Sequence, residues 1–300
     1  CASLPCTRTR SVCFAKRLAA NGRAAVTELL RASDPVLHIL AAVSYASAFV
    51  ALMAHAVLGK KTERIARTFG VTGTVLHVAG IASRWVVVGH GPMLTKYENL
   101  SSYALVTAAL ALYLSTRKDA LRQIGLVLYP VAFLLLGIGV YTGAEAVNLP
   151  PTFSGIWLVL HVCFYFLAFA TALTGVGASV LLMLRPRVKG QVAERLGSDE
   201  ELDVSAYRYA GLAFAFWGVG MLTGSIWAYN AWGRYWGWDP VETWSLVTWL
   251  IFGVYLHLRR FFAWEGRKAA WLLIVSFAFA VMSLFGTAFL TGSLHGVYFT

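Results

Sequence analysis

Residues 232–239 read Trp-Gly-Arg-Tyr-Trp-Gly-Trp-Asp, and they connect two apolar segments of membrane length, residues 207–228 and 243–258. A tryptophan side chain has one large flat face and one polar N–H group. It therefore suits the boundary between membrane and water, and it also suits stacking against a flat macrocycle. The two glycines would let such a macrocycle come close to the backbone. The stretch thus indicates both a membrane boundary and a binding surface.

The composition of the whole chain excludes a soluble globular protein. Of its 300 residues 58% are apolar and 13% are charged, whereas soluble domains carry about 25% charged residues. Apolar segments of about 20 residues recur, and each can cross a hydrocarbon core of about 30 Å as a helix. We predict an all-α polytopic membrane helical bundle with about eight transmembrane helices. The expected spans are 36–58, 69–89, 101–116, 124–144, 155–184, 207–228, 243–258 and 269–291.

The basic residues predict the orientation of the chain. The net charge of +11 arises mainly from lysines and arginines that follow the first, third, fifth and seventh spans. This alternation indicates membrane topology rather than binding to nucleic acid. By the positive-inside rule these loops face the cytoplasm, or the stroma of a plastid. The tryptophan stretch and both termini then face the opposite, outer side.

Residues 1–35 form a basic N-terminal extension, which we separate from a single transmembrane domain over residues 36–300. Residues 1–33 contain six basic residues and one acidic residue, Glu28, although the helix count places them outside. Their content of Arg, Ser and Thr is typical of a transit peptide, and a surface amphipathic helix is the alternative.

The cysteines exclude two classes of protein. Three of the four lie in the N-terminal extension, Cys163 lies in the fifth span, and the sequence has no CxxC. The chain is therefore neither a thioredoxin-like thiol oxidoreductase nor itself a c-type cytochrome, although it could act on one.

The residues after the tryptophans predict the start of a helix. Asp239-Pro240-Val241-Glu242 has an N-cap residue, proline at the first helical position and Glu at the third, as in a capping box. The tryptophans alone could be an interfacial belt, but a belt needs only one or two aromatic residues per helix end. We interpret the stretch as both a helix cap and a cofactor platform. Arg234, the only cation of this loop, could pair with an acidic group of the macrocycle.

Histidines are the candidates for binding a metallated macrocycle, since imidazole is the usual axial ligand of heme iron. Of the seven in the chain, His161 lies near the outer start of the fifth span and His295 follows the outer end of the eighth. Both share the side of the tryptophans. His38 is expected to be an interfacial histidine without a cofactor.

His257 is the candidate for a second site near the inner face. It lies 18 residues beyond Asp239, which corresponds to about 27 Å of helix. Its axial partner is left open between His77 in the inner half of the second span, His55 near an inner helix end, and a histidine of another subunit.

The pattern WGxxWxWD, in the loop at residues 227–242, resembles the WWD motif of the heme-handling proteins of cytochrome c biogenesis. Its continuation, residues 240–244, resembles the CcsA family in particular. Residues 90–100 are similar to a CcsA stretch of the form GxxPxxNxYExL, although Thr95 replaces the usual Asn. The resemblance matches His161 and His295 to the external pair of histidines and His257 to the histidine of a transmembrane heme site.

The resemblance implies transport of heme b across the membrane and its attachment to the CxxCH thiols of apocytochrome c on the outer side. A CcsB-type membrane partner is expected, besides membrane lipid. In that mechanism Trp232, Trp236 and Trp238 stack along the ring edge, Gly233 permits close approach, and Asp239 fixes the loop. Synthase and chaperone are both possible descriptions, so enzymatic activity stays open. The membrane is a bacterial plasma membrane or, alternatively, a thylakoid membrane.

Two other classes of function are compatible with these residues. One is a membrane b-type electron-transfer protein, in which outer and inner hemes form a wire. The other is a transporter of a different amphipathic ligand, which would contain no iron.

Overall fold

The computed structural model describes residues 7–117, 119–145, 147 and 149–286, with the backbone alone at 7–21, 23 and 119, and its regular elements are all helical. The α-helices are α1 (Thr7–Leu58), α2 (Glu63–Val88), α3 (Lys96–Leu114), α4 (Asp119–Gln123), α5 (Gly125–Thr142), α6 (Ile156–Leu184), α7 (Gln191–Arg195), α8 (Asp199–Trp232), α9 (Pro240–Phe261) and α10 (Gly266–Val281). Short 3₁₀ helices lie at Pro151–Phe153 and Arg185–Arg187, and a π-helical turn, Met282–Gly286, follows α10.

The prediction of an all-α polytopic membrane bundle is confirmed. Seven helices of the described chain are long and apolar enough to cross a membrane. The third predicted span, 101–116, corresponds to α3, which has 19 residues and measures about 28 Å. Its first turn contains Lys96 and Glu98, and for this reason α3 is less apolar than the other seven. Large apolar side chains cover the outer surface, as lipid contact requires, among them Val50, Val75, Val86, Leu134 and Leu222.

The first helix begins much earlier than the first predicted span. α1 has 52 residues and passes through Pro35 without interruption, so it measures about 78 Å. Proline removes one helical hydrogen bond and tends to bend a helix. The boundary that we placed at residue 35 therefore lies within a continuous helix, and the separation of residues 1–35 from the transmembrane domain stays a prediction.

The connections between the long helices form two ends of the bundle. We call the connections at 59–62, 115–124, 185–198 and 262–265 the basic end, because they carry or adjoin most of the lysines and arginines. The connections at 89–95, 143–155 and 233–239 form the tryptophan end. Contacts between a connection and a helix stabilise each end: Arg195 donates to the carbonyl of Ala56 in α1 at the basic end, and the Trp227 indole of α8 donates to the carbonyl of Thr152 at the tryptophan end.

α6 lies in the middle of the bundle and packs against α8, α10, α3 and α5. Small residues allow this close approach. A Cβ atom on Gly175 of α6 would lie 3.2 Å from the carbonyl oxygen of Ala206 in α8. Small residues at helix contacts are typical of membrane bundles, where backbones gain dispersion energy by approaching each other closely.

At the basic end an ion pair joins the helices that flank the tryptophan loop. Arg259 of α9 donates to both carboxylate oxygens of Asp203 in α8, at 2.9 and 2.7 Å. The same carboxylate accepts a hydrogen bond from the backbone N–H of Gly266, the first residue of α10. α8, α9 and α10 are thus connected at one point opposite the tryptophan motif.

Candidate functional site

The tryptophan loop begins and ends with helix caps. α8 ends at Trp232, and Gly233 takes the left-handed conformation with φ 73°, donating its N–H to the carbonyl of Tyr229 at 2.8 Å. This conformation favours glycine because a Cβ atom would be strained there. α9 begins at Pro240, with Asp239 as its N-cap and Glu242 completing a capping box. The predicted capping box is therefore confirmed.

Glu242 holds the loop from inside α9. Its carboxylate accepts hydrogen bonds from the backbone N–H groups of Gly237 at 2.7 Å and of Asp239 at 3.3 Å. The Asp239 carboxylate accepts from the N–H of Val241 at 2.8 Å, and the Asp239 side chain is buried. Two buried or half-buried acids therefore fix the backbone that carries the indoles, and charged acceptors make such bonds strong.

The indoles of the motif form two pairs. Trp232 packs edge to face on Trp227, with ring centroids 4.8 Å apart, and Trp236 packs edge to face on Trp238 at 5.7 Å. Trp238 is 70% exposed and has a positive φ of 57°, an unusual conformation for a bulky residue. The Nε1 atom of Trp236 is buried and lacks a hydrogen-bond partner within the described residues.

His161 lies beside this loop, on the first turns of α6. Its Nδ1 atom lies 2.8 Å from the carbonyl oxygen of Gly220 in α8. A carbonyl oxygen only accepts, so Nδ1 carries the proton and the lone pair lies on Nε2. The ring stacks on Trp227 at 6.1 Å and packs edge to face on Tyr165 at 4.9 Å. The imidazole is therefore fixed in both tautomer and orientation, as metal-binding histidines generally are.

Several supporting residues were not singled out from the sequence. Gly224 leaves space for His161, because a Cβ atom there would overlap the imidazole. Behind His161, Ser245 of α9 contacts the hydroxyl of Tyr165 and accepts from the indole of Trp217 at 2.9 Å. Gly220, Gly224 and Trp227 follow each other at spacings of four and three residues, and this pattern of one helix face could have indicated the site.

Arg234 lies on the exposed side of the loop and folds across Gly237, where a Cβ atom would lie 2.7 Å from its Cζ atom. Within the described residues its guanidinium makes no hydrogen bond, so it is available to an acidic ligand. His295, the proposed partner of His161, lies outside the described residues.

His257 differs from the other described histidines in its surroundings. It is exposed on the outer surface of α9 near the basic end, between the rings of Phe261 and Phe262 at 4.8 and 5.7 Å. No hydrogen bond to its ring occurs within the part of the chain that the structure describes. An imidazole that faces outward from the bundle can receive a cofactor shared with another subunit.

The two alternatives for the inner site have other contacts. His55 contacts the Lys60 carbonyl oxygen with Nδ1 and the Glu63 carboxylate with Nε2 at 2.8 Å. The ring of His77 is fully buried, and both of its nitrogens have hydrogen-bond partners. Its Nε2 atom contacts Ser101 in the second turn of α3, so His77 lies nearer the tryptophan end than the sequence indicated.

The expectation that His38 is an interfacial histidine is wrong. The side chain is 1% exposed and contacts Asp34 and Ser101 within the bundle. α2 approaches so closely that a Cβ atom on Gly80 would lie 2.6 Å from His38 Nδ1. Burial follows from this contact between helices, which the position of His38 near the start of the predicted span 36–58 does not reveal.

These residues fit a flat metallated macrocycle. They provide aromatic walls, a histidine with its lone pair on a defined nitrogen, a buried indole N–H without a partner among the described residues, and an outward-facing arginine. A metal held only by clustered side chains is not indicated, because the described residues contain no group of three or more His, Cys, Asp or Glu side chains suited to a metal ion.

The chain is similar to known proteins of cytochrome c assembly. A family described as cytochrome c assembly protein matches residues 93–295. The cytochrome c biogenesis protein CcsA of Chlamydomonas reinhardtii is 33% identical over 250 residues, which cover 81% of this chain and 71% of that protein. CcsA of Prochlorococcus marinus subsp. pastoris is 30% identical over 265 residues, which cover 79% and 84%.

Among solved structures, the cytochrome c heme lyase CcmF has a similar fold, with a TM-score of 0.60 over 89% of this chain. The sequence identity is 18%, and the chain spans about half of that protein, 48%. This likeness concerns the fold alone.

Proposed function

Because this chain belongs to the CcsA family of cytochrome c assembly proteins and acts in cytochrome c biogenesis, we propose that it carries heme b across the membrane and presents it for attachment to apocytochrome c. The observation that carries the proposal is the position of His161. Its ring stacks on Trp227, and Trp227 packs on Trp232, where α8 ends and the loop that displays Trp236 and Trp238 begins.

In the outer site, His161 and His295 would hold the heme iron. Trp232, Trp236 and Trp238 line the edge of the ring, and Gly233 closes α8 so that the loop can turn toward it. Asp239 and Glu242 supply no contact to the ring but keep the loop backbone in place. Arg234 pairs with a propionate, because a guanidinium fork suits a carboxylate.

The chemistry of attachment is supplied by the heme vinyl groups and by the thiols of the CxxCH segment, which form thioether bonds. The contribution of this chain is to hold the ring, to exclude premature reaction at the iron, and to leave the vinyl edge open to the incoming thiols. No acid or base of this protein is assigned to the formation of the thioether bonds. A heme carrier and a heme-attaching synthase would therefore have the same site.

The inner site is built on His257 and completed by another subunit. A CcsB-type partner would cover the exposed ring and supply the second axial ligand. His77 and His55 are less suitable, since iron would have to displace a hydrogen bond at either one. The tryptophan end faces the outer compartment, and both termini lie on that side, in a bacterial plasma membrane or a thylakoid.

The test is the reduced-minus-oxidised absorption spectrum of the purified protein, with heme quantified, for the wild type and for His161→Gly. We expect a b-type spectrum that His161→Gly weakens and that added imidazole restores. His90→Gln is the matched control, since His90 lies at the same end and bonds the Val147 carbonyl instead. A wild type that binds no heme, even with its partner co-expressed, would contradict the proposal. Transport of another amphipathic ligand would then be the remaining function.

A second measurement separates delivery from electron transfer. The purified protein is loaded with heme and mixed with a reduced CxxCH peptide, and the formation of a thioether-linked heme peptide is followed by mass. Delivery predicts a covalent product that requires His161. A membrane b-type electron-transfer protein predicts reduction of both hemes without any covalent product.

A further inference from the structure

A second group of buried polar residues lies between α1, α2 and α3, apart from the tryptophan motif. Each is at most 3% exposed, and none takes part in the heme sites proposed above. Burying so many polar groups is unfavourable unless they are hydrogen bonded to one another. The group consists of Asp34, His38, Tyr45, His77, Tyr97 and Ser101.

These six side chains form one continuous chain of hydrogen bonds. Tyr45 and His77 contribute the first bond, from the hydroxyl to Nδ1 at 3.1 Å. The Ser101 hydroxyl lies between the two imidazoles, 2.9 Å from Nε2 of each. The Tyr97 hydroxyl lies 3.0 Å from Nδ1 of His38, and it donates to the carboxylate of Asp34 at 2.6 Å.

All five bonds can run in one direction. The Asp34 backbone carbonyl lies 2.8 Å from Nδ1 of His38 and accepts only, so Nδ1 carries the proton of that ring. Nε2 of His38 then accepts from Ser101, Ser101 accepts from Nε2–H of His77, and Nδ1 of His77 accepts from Tyr45. The Nδ1–H of His38 is shared between the Asp34 backbone carbonyl, the Asp34 carboxylate at 3.0 Å and the Tyr97 hydroxyl at 3.0 Å. The other donors of the series all point toward the Asp34 carboxylate. Hydroxyl and imidazole groups both donate and accept, which is the requirement for passing protons along such a chain.

The buried face of α2 leaves room for this series of hydrogen-bonded side chains. A Cβ atom on Gly73 would lie 2.7 Å from the Tyr45 ring, and one on Gly80 would lie 2.6 Å from His38 Nδ1. His77 itself lies between these two glycines on the same face. α2 thus approaches α1 at the points where the side chains of the hydrogen-bonded chain need space.

Charged groups surround the Asp34 end. The Arg84 guanidinium lies 3.0 Å from the Glu98 carboxylate and 3.8 Å from Asp34, and His90 lies 3.9 Å from Glu98. Two carboxylates therefore share one guanidinium in a buried site, and the ring of His90, which contacts the carbonyl oxygens of Gly91 and Val147, lies beside Glu98.

The other end of the chain points toward the basic end of the bundle. The Tyr45 ring stacks on Tyr129 of α5 at 6.3 Å, and the buried Tyr129 hydroxyl lacks a hydrogen-bond partner in the described part of the chain. Tyr129 also lines a cavity of about 210 Å³, together with Glu63 and Arg122. A polar cavity of that size can hold several water molecules.

We propose that the chain from Tyr45 to Asp34 is a proton relay between this cavity and the tryptophan end. For each transfer one proton enters at the Tyr45 hydroxyl and one arrives at the Asp34 carboxylate. Each intermediate group gains one proton and gives up another, and no electron moves. The relay covers eleven residues of α1, about 16 Å, and it does not depend on the proposed heme function.

The test measures proton flux in sealed vesicles of phosphatidylcholine and phosphatidylglycerol that contain a pH-sensitive dye. Valinomycin and a potassium gradient impose the driving potential. We expect the wild type to carry protons faster than vesicles without protein. Ser101→Ala removes the hydroxyl that joins the two imidazoles, and Tyr45→Phe removes only the first hydroxyl and keeps the ring. Both should lower the flux to that of protein-free vesicles.

The matched control is Thr107→Ala, which removes another buried hydroxyl from α3 outside the chain. It should conduct like the wild type. Melting temperature and heme content establish that each variant is folded, and Tyr45→Phe decides the outcome if Ser101→Ala does not fold. A wild type no faster than protein-free vesicles, or a Tyr45→Phe variant as fast as the wild type, would overturn the relay.

Discussion

The imidazole of His161 depends on a single missing methyl group. At Gly224 an added Cβ atom would overlap His161, whereas at Gly211 of the same helix no heavy atom lies within 4 Å. Glycine at 224 thus has a steric reason, and glycine at 211 has none among the described neighbours. The site is therefore sensitive to substitutions at residues that support His161, in addition to substitutions at residues that contact the ligand.

Gly224→Ala should weaken heme binding at the outer site about tenfold, which corresponds to about 1.4 kcal/mol, because the ring of His161 must move. The measurement is a heme titration followed by absorbance. Gly211→Ala is the control and should leave heme affinity unchanged while stabilising α8 by about 0.5–1 kcal/mol. Equal affinities for the two variants would show that His161 is not the ligand.

Trp236→Phe should weaken heme binding by about fivefold, since one hydrogen bond contributes about 1 kcal/mol. The buried indole N–H of Trp236 lacks a partner among the described residues, so it is available to the ligand. Trp249→Phe is the matched control, because the Trp249 indole already donates to the Phe214 carbonyl at 3.1 Å and stacks on Phe214. Should the control lose as much heme as Trp236→Phe, the effect would be one of packing.

At the scale of the helices, α8 and α9 carry the tryptophan loop at one end and are joined by Arg259 and Asp203 at the other. The pair is largely buried, and its carboxylate also caps the start of α10. Removing one partner of a buried ion pair leaves an uncompensated charge and typically costs about 3–5 kcal/mol.

Asp203→Asn should therefore lower the melting temperature markedly while the b-type spectrum of the outer site is kept at low temperature. Asp199→Asn is the control, because its pair with Arg185 is exposed and should contribute less than about 1 kcal/mol. Thermal unfolding in detergent, followed by heme absorbance, measures both. A loss of heme at low temperature in Asp203→Asn would mean that the basic end determines the geometry of the loop.

The start of α9 was predictable because a capping box is a local pattern. Asp239, Pro240 and Glu242 are neighbours in sequence, and their hydrogen bonds involve one turn of backbone. The hydrogen bond from Gly237 to Glu242 could not be read in the same way, since it depends on the fold of the loop. The length of α1 was missed because hydropathy detects the apolar part of a helix and not its polar continuation.

At the scale of the whole molecule, hydropathy predicted about eight membrane helices, and seven helices of the described chain are long and apolar enough to cross a membrane. Hydropathy did not predict which helices are neighbours. Counting residues from Asp239 predicted that His257 lies near the inner end, but it did not predict which way the side chain faces. The structure adds that it faces outward, whereas His38 faces other helices. Which residue faces lipid and which faces protein is decided by contacts between distant helices, and a sequence of uniformly apolar spans contains little information about them.

The proposed topology predicts which side of the membrane each end of the bundle faces, and this can be tested by cysteine labelling. A cysteine introduced at Tyr235, which is exposed at the tryptophan end, should react with a membrane-impermeant thiol reagent added outside intact cells. A cysteine at Lys189, in the basic end, should react only after lysis. The native cysteines are replaced first in both variants. The reverse pattern would place the tryptophan motif in the cytoplasm and contradict delivery of heme to the outer side.

The outward direction of His257 affects how this protein must be studied. If His257 holds heme as proposed, a heme that reaches this surface before the partner covers it would contact acyl chains, so it could arrive by lateral diffusion within the bilayer and would need no pore. The relevant concentration is then the number of heme molecules per lipid rather than per volume of water. An affinity measured in detergent will change with the amount of detergent, because micelles dilute the heme in the phase from which the protein takes it.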